Sequence, residues 1–219
     1  MLLFVNTHSV LADNATFSAS SSVGIRVRPT VGITVDFKGS AALPTPTPVQ
    51  EGSGVVTKFP PATQEFPEPL SVRLTFREIA GHAGPGPGLA RVTQSGTSSQ
   101  LILTNDTNRV ITVSLDYNLT SLLMTSVTGS AVAEAQFEFS IVRDGSTIFS
   151  DHFASPGMEF PLSRGGTITF DLPAFGSTTI ILRGSQSGLA AVPEPTTMLL
   201  LGTGLAGVAI KIRKRLKNN

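Results

Sequence analysis

The chain has 219 residues, with 40% hydrophobic and 14% charged side chains, enough apolar material for one core of ordinary size. It contains no cysteine, which excludes disulfides, thiolate metal sites and a cysteine nucleophile. The formal charge of +1 hides five cations in the last nine residues, without which 11 basic side chains face 15 acidic ones, and an acidic body of net −4 offers no footprint for nucleic acid.

The chain opens with "MLLFVNTHSVLADN". Leu2 to Val5 is an apolar patch, and Val10 and Ala12 fit the small-residue rule for a signal-peptidase cut before Asp13. The basic n-region of a secretory signal is absent, so a first β-strand is the competing reading. Residues 1–12 are assigned here as part of a signal peptide.

From Asp13 to Ala190 the pattern is that of an all-β body. Strands are expected at Val23–Arg28, Gly32–Lys38, Val55–Phe59 and Ser71–Ile79. A Pro-rich connector near residues 41–52, "ALPTPTPVQEG", should run extended. "FPEPL" at Phe66–Leu70 marks a strand boundary, because proline removes a ladder donor. "GHAGPGPG" from Gly81 to Gly88 reads as a loop that carries His82.

"SQLILTNDTNRVITVSLDYNL" reads as a strand pair turned by Asn105–Asn108. Ile111, Val113, Leu115 and Tyr117 share one face of the second strand. In "AQFEFSIVRDGSTIFSDHF", Ala135, Phe137, Phe139 and Ile141 alternate with Gln136, Glu138 and Ser140. Asp144-Gly145 then predicts a type I′ hairpin, since both central residues must take positive φ. A third pair is expected at Thr167–Leu172 and Thr178–Arg183. Eight to ten short strands with polar turns point to an antiparallel β-sandwich, immunoglobulin-like or jelly-roll-like.

Signs of chemistry are sparse. His8, His82 and His152 lack the spacing of a zinc site, and no G-x-S-x-G nucleophile elbow is present. Glu65/Glu68 and Glu134/Glu138 are carboxylate pairs of the type used in glycoside cleavage, yet Glu134 and Glu138 fall on the polar phase of their strand. Asp106 with Asn105 and Asn108, or Asp144 with Asp151, could offer loop oxygens to calcium, but turn roles explain them as well. Asn14, Asn105 and Asn118 match the N-glycosylation pattern by chance. No cofactor and no metal are expected, and the body is read as non-enzymatic. A carbohydrate-binding module is the alternative, set back by the absence of Trp and the single Tyr; a secreted hydrolase is a further one.

The end of the chain carries most information. Val192, Pro193, Glu194 and Pro195 precede Thr196 to Ile212, a stretch whose one charge is Lys211. As a helix at ~1.5 Å per residue those 17 residues reach roughly 25 Å, enough for a bilayer once flanking cations snorkel. Lys211, Arg213, Lys214, Arg215 and Lys217 would anchor the cytoplasmic side, leaving the body outside. Gly202, Gly204 and Gly207 form a G-x-G-x-x-G that no further strand or acidic residue follows, so a dinucleotide site is rejected.

This order of Pro-Glu-Pro, apolar span and basic end resembles the PEP-CTERM sorting signal of Gram-negative bacteria. The resemblance covers residues 192–219. It implies an exported protein handled by an exosortase, a membrane transpeptidase, in cells that make exopolysaccharide. It further implies passage through the inner membrane to the outer envelope or the extracellular matrix, hence a surface or biofilm role of structural or adhesive type.

Overall fold

A computed structural model of the chain describes residues 13–155 and 160–194. Thirteen strands follow one another: β1 (Asn14–Val27), β2 (Ile33–Lys38), β3 (Val49–Gly52), β4 (Val55–Lys58), β5 (Thr63–Glu65), β6 (Ser71–Ala83) and β7 (Gly88–Thr97). After them come β8 (Gln100–Asn105), β9 (Ile111–Thr128), β10 (Val132–Arg143), β11 (Ser146–Ser155), β12 (Phe160–Leu172) and β13 (Ser177–Val192). The described residues contain no helix. The expected C-terminal helix lies outside them, as do residues 1–12.

The strands form two antiparallel sheets. The first runs β12-β9-β1-β6-β4 with β5 also on β6, and the second runs β11-β10-β13-β7-β3, with β8 pairing both β13 and β2. One continuous apolar core, from Ala15 to Val192, lies between them. It arises because successive strand side chains alternate between faces. Ala135, Phe137, Phe139 and Ile141 are all buried, as are Ile111, Val113 and Leu115. Tyr117 is half-buried and packs on Phe139 and Phe149 at ring-centroid distances of 6.3 and 4.6 Å.

Close approach of the sheets depends on glycines in β13. A Cβ on Gly188 would overlap the Phe17 ring of the opposite sheet, and one on Gly184 would stand 2.6 Å from Phe76 Cζ. Between those glycines Gln186 is fully buried. Its amide nitrogen donates to Arg77 O and to Gln94 Oε1, at 2.7 Å each. Arg77 lies where the β1–β6 register slips, between Ala19 and Ser21, so a side chain from the second sheet caps a carbonyl at the bulge of the first.

The Asp-Gly hairpin forms as expected, with φ of 48° at Asp144 and 84° at Gly145. The other two expected strand pairs do not form. β8 belongs to the second sheet and β9 to the first, and β12 and β13 divide the opposite way. The turns at Asn105–Val110 and Pro173–Gly176 therefore carry the chain across the core instead of folding it back.

Asn105, 1% exposed, ties both crossings together. Its Nδ2 donates to Arg109 O (2.7 Å), Leu172 O (3.1 Å) and Pro173 O (2.8 Å), while its Oδ1 accepts from Thr107 N at 2.9 Å. Two further expectations are corrected, and the Pro-rich connector gains partners. β1 begins at Asn14, nine residues ahead of the expected Val23. The Pro-rich connector is pinned by the Ala42–Thr97 bridge, and its last residues pair with β7 as β3. His82 is not in a loop: β6 continues to Ala83, where Ala15 and Thr16 of β1 supply ladder partners.

Gly188→Ala should lower stability by about 1–3 kcal/mol through overpacking against Phe17. Asn105→Ala should cost about 2–4 kcal/mol, because several backbone groups lose their partner at once. Denaturant titration of the purified chain reads both.

Candidate functional site

β13 leads directly into the sorting signal. Its burial alternates to the last residue, where Val192 is 6% exposed and pairs with Gly88 of β7. Pro193 has no N–H to continue the ladder, and Pro193 and Glu194 emerge exposed. Pro195, the span Thr196–Ile212 and the cations Lys211, Arg213, Lys214, Arg215 and Lys217 lie outside the described residues.

The internal copy of the triplet is held differently. Glu68 O accepts from the Ser71 hydroxyl at 2.7 Å, and the Glu68 carboxylate meets Arg26 at 2.9 Å. Leu70, at φ 64°, closes that turn just before β6. Pro67–Pro69 is thus a strand boundary within the fold, whereas Pro193 and Glu194 emerge exposed after the last core strand.

Residues 191–215 match the family described as the PEP-CTERM protein-sorting motif. The chain carries a PEP-CTERM sorting signal. No curated protein and no solved structure matches the chain. A PEP-CTERM protein is exported, bears a membrane-anchored sorting signal and is a substrate of an exosortase. Among the described residues no linker separates that signal from the body, since its first residues, Ala191 and Val192, are the end of a core strand.

The second feature lies on the outer face of the second sheet. A trough of about 670 Å³ runs over β7, β13, β10 and β11. Strand register builds it in two rows. One row is Thr97, Arg183, Ser140 and Ser150; the next is Ser95, Ser185, Glu138 and His152. Small hydroxyl side chains keep the floor low, and Arg183, Glu138 and His152 rise from it exposed.

Sequence reasoning placed Glu138 and Ser140 on the polar face, as found, but joined neither to His152 or Arg183. Those partners come from strands up to 45 residues away and depend on register across the hairpin, which slips between Ile141 and Val142. The polar phase of "LRGSQSG" in β13 is the one signal that could have flagged Arg183 and Ser185.

Among the described residues the side chains of Arg183, Glu138 and His152 make no hydrogen bond or ion pair. Asp116 and Glu78 on the first sheet are placed otherwise. Asp116 accepts from Arg28 Nε at 2.7 Å and from the Thr167 hydroxyl at 2.6 Å. Glu78 accepts from Lys58 and from the Ser18 hydroxyl. A hollow of about 470 Å³ on that face carries Arg77 but no carboxylate or imidazole.

The pairing shows in the acidities. The hydrogen bond from Arg28, then that from Thr167, holds the Asp116 carboxyl below its ordinary value. The Lys58 hydrogen bond does the same for Glu78 against a burial cost. Burial opposes ionisation of Asp144 as well, yet bonds from the Thr178 hydroxyl and Thr179 N–H outweigh it and keep that carboxyl low.

The candidate catalytic groups are not gathered. His82 lies on β6 in the first sheet and His152 on β11 in the second. Among the described residues no three His, Asp or Glu side chains converge as a metal site. Asn105 and Asp144 serve turns, and Asp151 pairs with Arg164 at 3.0 Å.

These depressed carboxyl values set a pH dependence. A group with a lowered folded pKa contributes stability above its unfolded value, ~4, and loses it as pH falls through the folded value. The melting temperature should therefore hold between about pH 5 and 7 and fall below about pH 4. Asp144→Asn, which tolerates the same left-handed turn, should reduce that fall. Thermal melts across this range check both.

Proposed function

We propose that this exported protein is a structural or adhesive component of the cell envelope or extracellular matrix, working beside exopolysaccharide, and that it is not an enzyme. The observation that carries the reading is the direct fusion of sorting signal to core strand. Val192 is buried in the ladder, so the whole folded body is the cargo that the exosortase handles and delivers.

The shape of the body favours display over turnover. β13 spans 16 residues, so at ~3.3 Å per residue its two ends stand about 50 Å apart. At the end remote from the signal, Val31, Val110 and Phe175 are 88%, 61% and 71% exposed. Their loops are bolted together: Asp106 N donates to Gly32 O and Phe175 N to Thr107 O, at 2.9 and 3.0 Å. Rigid apolar tips held far from the attachment point suit contact with other material.

The carbohydrate-binding alternative has one specific observation in its favour, the unpaired polar trough. The hydrolase alternative has less. Glu138 and His152 occupy paired strand positions, but no hydrogen bond joins them to each other or to a serine.

Intact-mass analysis of surface material should find a C-terminus between Pro193 and Thr196; recovery of chains ending at Asn219 would overturn the processing. Deleting residues 193–219 should abolish retention at the surface and release the folded body. Unchanged distribution of the deleted form would count against the whole reading.

A further inference from the structure

We infer that the trough on the second sheet is a binding site for a neutral polysaccharide chain laid across β7, β13, β10 and β11. The inference rests on the proposed envelope role and names the partner that the body would contact there.

Three features carry it. The first is chemical. The trough presents the hydroxyls of Ser95, Thr97, Ser140, Ser150 and Ser185, each able to donate and accept. Arg183 adds a planar set of donors and Glu138 a pair of acceptor oxygens, with His152 able to serve either way. A sugar ring is itself a ring of hydroxyls that donate and accept, so a mixed array of this kind matches it better than a one-signed ligand.

The second is that the array is uncommitted. Asp116 and Glu78 on the first sheet are taken up by cations and hydroxyls, and the single exposed carboxylates Asp36, Glu51 and Glu65 stand outside any such array of hydroxyls. Even Asp151, beside the trough, is held by Arg164 at 3.0 Å. Among the described residues Arg183, Glu138 and His152 are left facing solvent with their hydrogen-bonding capacity open.

The third is geometric. Four strands at ~4.8 Å spacing give a floor about 14 Å wide, and the volume of about 670 Å³ is that of a ligand site. The trough is open at the surface of the sheet, so a chain can pass through it without an end.

Charge decides between polysaccharide types. Arg183 and Glu138 offset one another on adjacent strands, and Arg91 and Glu134, further along the same face, do likewise. Nothing in this balance selects a polyanion. Binding should therefore change little with salt. Without an aromatic platform each site will be weak, and strength at a surface would come from many copies acting together.

The test uses the full chain in detergent micelles, run through native gels containing dextran, a soluble β-glucan, or alginate as a polyuronide. Retardation on at least one neutral glucan is expected, and it should persist in about 0.5 M salt, where surface charges are screened within a few ångströms. Arg183→Ala, Glu138→Gln and Ser185→Leu should each weaken it about tenfold or more, with melting temperatures close to the parent's. Thr112→Ala, on the other sheet, should leave it unchanged. Absence of retardation by both neutral glucans would overturn the proposal. So would retardation that the three trough variants leave intact, or binding to alginate alone that salt abolishes. If the trough fails while the tail is still processed and the body still reaches the surface, the envelope role stands and this site assignment falls. If the parent never reaches the surface, the envelope role itself fails.

Discussion

Two phenylalanine rings set the spacing of the whole fold. Phe17 lies against Gly188 and Phe76 against Gly184, so each ring of the first sheet enters a notch that only the absence of a Cβ leaves open. Gln186 stands between the notches and reaches across to Arg77 O. β13 is therefore locked in three places along its inner edge. The same strand joins the two candidate features: its outward residues Arg183 and Ser185 lie in the trough, and its last residues open the sorting signal.

That placement has a mechanical consequence. A tail hung on an edge strand could be pulled free with that strand. β13 is flanked by β10 along almost its full length, and by β8 then β7 on the other side. Force or fluctuation in the tail therefore meets a central strand, the part of a sheet least able to open locally. The proline at position 193 ends the ladder at once, so the boundary between folded cargo and sorting signal is sharp. An exosortase acting at Pro193–Thr196 works within a few residues of the folded body.

The two outer faces differ in how their polar groups are used. On the first sheet, Asp116 and Glu78 are drawn into ion pairs and hydroxyl bonds that hold their carboxyls ionised. Exposed pairs of this kind add little stability singly, but they leave those groups occupied. On the second sheet the rows through Arg183 and Glu138 remain open. Open hydrogen-bonding groups gathered with hydroxyls in one trough, more than any single residue, mark that face as the candidate binding face.

The sequence by itself determined several of the strands and the presence of an export-linked sorting signal. Alternation of apolar residues fixed which faces of β9 and β10 turn inward, because side-chain direction along a strand has a period of two. Asp144-Gly145 fixed a hairpin, since that dipeptide accepts positive φ twice. The order of Pro-Glu-Pro, apolar span and cations marked the sorting signal, because those properties are local to a few residues. Tertiary structure alone decided the rest. Whether the turns at Asn105–Val110 and Pro173–Gly176 fold back or cross the core depends on which sheet holds the next partner strand, and a polar turn reads the same in both cases. The notches at Gly184 and Gly188 have meaning only beside rings more than a hundred residues away. Thr97, Arg183, Ser140 and Ser150 become neighbours only through register, and register is set by what the opposite faces of those strands bury.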